Sequence, residues 1–184
     1  YIFKYGANLP TNIRKKGEYP VYGSSDIVDY HETYFVKGPG IIIGRKGTVG
    51  KVQFSTRNFF PIDTTFYIEH DLEKVDLKFL YFLLSISGLD KMNSDAAVPG
   101  LNRTAAINQK ISLPPLSTQQ KIAKILSNYD DLIENNLKRI KLLEESARLT
   151  YEEWFLRFRI DGKKLEIDPE SGLPFGWKWK FISD

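Results

Sequence analysis

A chain of 184 residues with net charge +3, 42% hydrophobic and 27% charged residues has room for one compact domain and one extended element. It has no cysteine and only two histidines, His31 and His70, which excludes disulfides, thiolate metal centres and histidine-rich metal sites. No run of about 18 apolar residues is available to span a membrane, and the start Tyr1-Ile-Phe-Lys-Tyr-Gly6 lacks a signal-peptide layout, so a cytoplasmic protein without a membrane partner is expected.

Residues 1–70 read as strands and turns, because Gly and Pro punctuate short runs of Val, Ile, Tyr and Phe. Tyr19-Pro-Val-Tyr-Gly23 predicts a strand ending in a turn, and Ile41-Ile-Ile43 after Gly38-Pro-Gly40 predicts a buried strand. Gly44-Arg-Lys-Gly47 is expected to be a hairpin loop, followed by alternation from Thr48 to Phe54 and a strand over Thr64–Ile68. Asp76 is placed to cap a helix carrying Leu77, Leu80, Tyr81 and Leu84 at helical spacing and ending near Ser87-Gly88. Residues 91–110 read as a polar loop with a turn at Pro99-Gly100, and Ile111-Ser-Leu113 as a short strand stopped by Pro114-Pro115.

From Leu116 to Asp161 there is neither Gly nor Pro. Ser117 or Thr118 can cap a helix here, although the capping box is incomplete. Ile122, Leu126, Tyr129, Ile133, Asn136, Ile140, Leu143, Ala147, Thr150 and Trp154 recur at spacings of four and three, a heptad seam. A helix over residues 117–159, about 42 residues, would be about 63 Å long and needs a partner helix to cover its stripe. Asn136 on the seam either fixes register by pairing or is solvated at the interface. Ile125, Leu132 and Leu142 widen the stripe towards more than one neighbour, and Tyr151, Trp154, Phe155 and Phe158 form a further apolar patch. Residues 161–174 read as a linker and Trp177–Asp184 as an alternating strand.

Chemistry-bearing patterns are few. Gly44-Arg-Lys-Gly47-Thr-Val-Gly50-Lys51 fails as a phosphate-binding P-loop at the first glycine and at Val52. It also departs from the KH-domain loop, since alternating strand residues follow it where that loop leads into a helix. The loop nonetheless gathers Arg45, Lys46 and Lys51 where glycines allow close approach to a phosphate, and a merely solvated basic turn is the alternative. Asp63, Asp76 and Lys78 after Pro61 crudely resemble a nuclease metal set, but Asp76 is expected to cap a helix rather than lie on a strand. With two scattered histidines, a Ser/His/Asp catalytic arrangement is not credible. His31 reads as a turn residue, with DNA contact as its alternative role. The basic excess is confined to residues 1–110, with 14 Lys/Arg against 11 Asp/Glu, whereas residues 111–184 carry 12 of each. That weakly favours a nucleic-acid partner for the first part.

Two stretches carry a resemblance. Tyr19-Pro-Val-Tyr-Gly-Ser-Ser25 with Gly40-Ile-Ile-Ile-Gly-Arg-Lys-Gly-Thr-Val-Gly50 resembles the target-recognition domain of type I restriction–modification specificity (S) subunits. Leu113-Pro-Pro-Leu-Ser-Thr-Gln-Gln-Lys-Ile-Ala-Lys-Ile-Leu126 with Asp130-Asp-Leu-Ile133 resembles the junction to that family's long helix. The resemblance implies an α/β (α+β) recognition domain with a mixed sheet over residues 1–113, and a long helix over 114–160 in an antiparallel coiled coil with a partner helix. Residues 161–184 would be a linker and strand. It implies a non-catalytic chain that reads double-stranded DNA and directs methyltransferase and restriction subunits to a bipartite site. S-adenosylmethionine, ATP and Mg would reside on those partners and no cofactor in this chain. A coiled-coil adaptor that binds protein and not DNA is the alternative.

The segment Leu173-Pro-Phe-Gly-Trp-Lys-Trp-Lys-Phe-Ile-Ser-Asp184 resembles the family's usual domain start, which in that family precedes residues like Tyr1–Gly6. Three arrangements are therefore expected: a tail folded back on its own domain, a tail completing a second copy in a homodimer, or a piece of a longer subunit. Arg14, Lys15, Lys46 and Lys51 are the expected phosphate contacts, and Ser24, Ser25, Arg45, Asn102 and Arg103 the expected readers of base edges. Ile122, Leu126, Tyr129, Ile133, Asn136, Ile140, Leu143, Ala147 and Trp154 are the expected helix interface.

Overall fold

The computed structural model describes residues 2–69, 73–92 and 100–183, in two compact units, Tyr1–Asn128 and Tyr129–Asp184. In the first unit, β1 (Ile2–Tyr5), β7 (Thr65–Glu69), β4 (Gly40–Gly44) and β5 (Val52–Ser55) form an antiparallel four-stranded sheet in the order β1-β7-β4-β5. A second sheet, β3-β2-β6, consists of β2 (Tyr19–Tyr22), β3 (Ile27–His31) and β6 (Phe60–Pro61). It is mixed, because β2 runs antiparallel to β3 and parallel to β6.

The triple isoleucine explains why the four-stranded sheet lies at the centre. Successive side chains of a strand point to opposite faces. Ile41 and Ile43 enter one core with Phe3, Phe66 and Ile68, while Ile42 enters another with Tyr22 and Phe59. All three isoleucines are 0% exposed, so β4 needs apolar cover on both faces. One cover is α1 (Leu77–Ser85) through Leu77, Leu80 and Leu84, joined by α2 (Arg103–Ile107) through Ala106. The second sheet supplies the other cover. A fully buried isoleucine contributes roughly 1.5–3 kcal/mol.

Asp76 caps α1 as its position predicts: its Oδ1 accepts from the Phe79 N–H at 2.8 Å. Residues 91–110 hold more structure than their polarity suggests. Leu89–Lys91 form a 3-10 turn and Arg103–Ile107 a helix of five residues, too short for periodicity to reveal. Of the expected turn at Pro99-Gly100, Pro99 lies outside the described residues, as does His70. Ile111–Leu113 forms no strand, because no neighbour among the described residues supplies a ladder; Ile111 instead packs against the main core.

The long helix α3 spans Leu116–Tyr151. Its first turn is satisfied by the Pro115 carbonyl, which accepts from the Thr118 and Gln119 N–H groups at 2.9 and 3.1 Å, so neither Ser117 nor Thr118 is its cap. Gln119 is only 2% exposed. Its Oε1 accepts from the Asp76 N–H at 3.0 Å and its Nε2 donates to the Pro114 carbonyl at 2.8 Å. One buried amide thereby joins the start of α1 to the start of α3.

In the second unit, α3 passes into a π-helical turn, Glu152–Leu156, and Phe158 adopts φ 49°. The chain then forms a small hairpin of β8 (Arg159–Ile160) and β9 (Lys163–Lys164), so Arg159 is a strand residue and the expected helix end there is corrected. A π-turn and a left-handed residue break the helix without Gly or Pro, which the sequence pattern could not reveal. Residues 177–183 form no strand: a strand requires a paired neighbour, and none pairs with them among the described residues. Trp177 instead packs on Phe155 and Phe158, with ring centroids 5.6 and 5.7 Å away.

Gln119→Leu fills a similar volume but leaves the Asp76 N–H and Pro114 C=O without their partner. It should lower the unfolding free energy by about 1–3 kcal/mol in urea titrations; unchanged stability would contradict the joint.

Candidate nucleic-acid interface

The loop between β4 and β5 carries Arg45, Lys46 and Lys51. Gly47 (φ 78°) and Gly50 (φ 73°) take left-handed conformations, and a Cβ on Gly50 would lie 2.3 Å from the Asp90 nitrogen, so no other residue fits there. The loop is anchored on one carbonyl. Thr64 O accepts from the Arg45 N–H at 2.8 Å, the Lys46 N–H at 3.1 Å and the Ser24 hydroxyl at 2.6 Å. Lys51 Nζ donates to the Ser25 carbonyl. Gln53, 8% exposed, donates from Nε2 to the Gly23 carbonyl at 2.8 Å. The Leu101 N–H donates to the Arg45 carbonyl at 2.8 Å, which brings Asn102 and Arg103 to the same edge.

Of the nine residues expected to touch DNA, seven therefore converge: Ser24, Ser25, Arg45, Lys46, Lys51, Asn102 and Arg103. Their situations differ. Lys46 is exposed, and its ammonium has no partner among the described residues. Ser25 is exposed, whereas Ser24 is 9% exposed with its hydroxyl donated internally. Arg45 donates from Nε and Nη2 to the Asp63 carbonyl at 3.0 and 2.6 Å. Arg103 donates from Nε to the Phe3 carbonyl at 3.0 Å. Asn102 is the N-cap of α2, its Oδ1 accepting from the Ala105 N–H at 3.0 Å.

Arg14 and Lys15 belong to a different cluster. The Arg14 side chain is 13% exposed, donates to the Leu9 carbonyl at 3.1 Å and pairs with Asp29 at 3.5 Å. Lys15 pairs with Glu32 at 3.1 Å, both largely in solvent, a weak interaction. His31 is the last residue of β3, not a turn residue. It is 7% exposed and its Nδ1 accepts from the Lys15 N–H at 3.0 Å, which removes it as a DNA contact. The nuclease-like set also disperses in role: Asp76 caps α1, Lys78 lies 4.2 Å from the Phe54 ring centroid, and Asp63 presents its carbonyl to Arg45. Among the described residues, no group of three or more His, Asp or Glu is arranged to hold a metal.

Sequence reading missed Thr64, Asp63 and Gln53, which fix the loop, and Tyr5, which stacks on it. The first two act through backbone carbonyls, which leave no signature in residue type.

The seam residues of α3 from Tyr129 onward lie exposed: Tyr129 is 62%, Ile133 58%, Ile140 51% and Leu143 67% exposed, and Asn136 and Ala147 are exposed beside them. Trp154 is 40% exposed on the π-turn, Leu126 is 37% exposed, and Ile122 is partly buried. Flanking Leu132, Leu137 and Leu142 are 54–66% exposed.

The chain thus carries a sheet domain with a cationic loop edge and a long helix whose apolar stripe is exposed. The chain belongs to the family described as type I restriction modification DNA specificity domain, whose model matches residues 2–145. It is 29% identical over 161 residues to the type I restriction enzyme MjaIX specificity subunit of Methanocaldococcus jannaschii, covering 82% of this chain and 36% of that one. To the EcoprrI specificity subunit of Escherichia coli it is 25% identical over 130 residues, covering 70% of this chain and 32% of the relative. It thus spans about a third of those relatives' length. The fold is that of the type I restriction–modification S subunit from M. genitalium, with TM-score 0.70 and 19% identity over 84% of this chain and 43% of that one.

Asn102 tests the overlap of scaffold and site. Asn102→Asp should keep the cap and the thermal midpoint, because Asp caps as well as Asn, while Asn102→Ala should cost about 1 kcal/mol. If the Asn102 amide also donates to a base, Asn102→Asp will weaken binding to the preferred duplex at unchanged stability. Equal binding would leave it as a cap alone.

Proposed function

We propose that this chain is a non-catalytic DNA-recognition component of a type I restriction–modification system. Its first unit reads part of a double-stranded site through the edge formed by residues 24–25, 45–51 and 102–103. The observation that carries this reading is the convergence of Ser25, Arg45, Lys46, Lys51 and Arg103 on one edge of a domain of this family. Lysines on a glycine loop suit phosphate oxygens, which orient a protein on the duplex, while fixed arginines suit base edges.

The apolar stripe of α3 is assigned to an antiparallel partner helix, from a second copy or from another recognition domain, and to docking methyltransferase subunits. Asn136 amid the stripe supports a register-setting pair. Restriction subunits complete the complex. S-adenosylmethionine, ATP and Mg are assigned to the partners, and the chain itself binds none of them. Its place of action is assigned to the cytoplasm; no helix among the described residues is long and apolar enough to cross a membrane.

Lys46→Ala should weaken binding to every duplex tested and reduce the slope of log affinity against log salt by about one, measured by fluorescence anisotropy. A loss confined to one sequence would overturn the phosphate role. Absence of any salt-dependent DNA binding would favour a protein-binding adaptor instead.

A further inference from the structure

Tyr5 ends β1 at the foot of the cationic edge, its side chain 55% exposed. The Arg45 guanidinium carbon lies 5.3 Å from its ring centroid, and that of Arg103 lies 5.8 Å away. Two like charges beside one ring repel each other, and the π-electrons of the ring offset part of that repulsion.

The ring itself is held. It lies 5.0 Å from the ring of Phe66, which is 1% exposed, and the two residues are register partners across β1 and β7. Immediately after it, the Gly6 N–H donates to the Thr65 carbonyl at 3.0 Å. A Cβ on Gly6 would come within 2.1 Å of the Ile62 carbonyl oxygen, so only glycine lets the chain after Tyr5 lie this close to Ile62.

Each arginine is also clipped through Nε to a backbone carbonyl, Arg45 to Asp63 and Arg103 to Phe3. A guanidinium carries five N–H donors. Arg45 uses Nε and one Nη2 hydrogen and Arg103 uses Nε alone, so both keep the Nη1–Nη2 end unspent among the described residues. Neither is in a salt bridge there, although an exposed guanidinium pairs readily with a carboxylate.

We propose that Tyr5 is a positioning residue that holds Arg45 and Arg103 with their Nη ends directed at paired acceptors, the O6 and N7 atoms of guanines in the major groove. This rests on the DNA-reading function proposed above. Phosphate oxygens also accept from guanidinium ends. The fixed planes nonetheless favour guanine, which offers two acceptors in one plane, whereas Lys46 has the freedom that phosphate contact needs.

The test uses the full chain with a pool of random-sequence duplex DNA, sequencing what is retained. The unsubstituted chain should enrich a motif with guanine at one or more fixed positions. Tyr5→Phe, which keeps the ring, should retain it. Tyr5→Ala should lose the preference at those guanines by about tenfold or more, with affinity for non-motif DNA and the salt slope unchanged, because no charge is removed. Tyr5→Leu keeps apolar packing on Phe66 and should match Tyr5→Ala in selectivity at an unaltered thermal midpoint. Equal weakening on all duplexes, or guanine preference retained in both Tyr5→Ala and Tyr5→Leu, overturns the positioning role. A motif without guanine at the affected positions overturns the acceptor assignment. An unsubstituted chain that enriches nothing overturns the DNA-reading function itself.

Discussion

The carboxamide of Gln119 is the constraint on which the architecture turns. It is nearly inaccessible to water, and it pairs with the Asp76 N–H and the Pro114 carbonyl. A buried amide without partners costs free energy, so the first turn of α3 has one favourable position against α1. The α1 helix in turn covers the sheet through Leu77, Leu80 and Leu84. The start of α3 is thereby fixed to the sheet domain by a hydrogen-bonding requirement as well as by apolar contact. In the proposed role this matters, because a helix that positions partners needs a rigid base.

The same logic governs the cationic edge. Thr64 O, Asp63 O and Phe3 O accept from groups that hold Arg45, Lys46, Ser24 and Arg103. Backbone carbonyls at the end of the four-stranded sheet thus set where the loops lie. The cations differ as a result: the guanidinium planes are held by carbonyls and an aromatic ring, the Lys51 ammonium by the Ser25 carbonyl, and Lys46 is exposed without a partner among the described residues. Fixed groups lose less entropy on binding and favour discrimination, whereas mobile lysines favour affinity for any anion. Ser24 and Arg14, whose polar atoms are engaged internally, belong to the scaffold of the domain more than to its contact surface.

Much of this was legible in the sequence. The triple isoleucine between glycines predicted the central strand, Asp76 predicted a cap, and the run from Leu116 without Gly or Pro predicted the long helix. Those features depend on local residue type. What escaped depends on distant partners. His31 is buried with its ring accepting from the Lys15 backbone N–H, and Ile111–Leu113 is no strand because no neighbour among the described residues pairs with it. The alternating residues after Trp177 stay outside any ladder for the same reason. The cationic edge proposed as the site was legible as charge and glycine; that Asn102 caps a helix and that Tyr5 stacks beneath two arginines required the folded chain.

The proposed selection of DNA sequence for partner enzymes is tested most directly by the adenine-methylation map of cells expressing this chain with methyltransferase subunits of its system. The expected result is a two-part motif whose methylation requires the chain, palindromic if identical copies pair through α3 and non-palindromic if a different recognition domain does. A confirmed complex that leaves the map unchanged would contradict it.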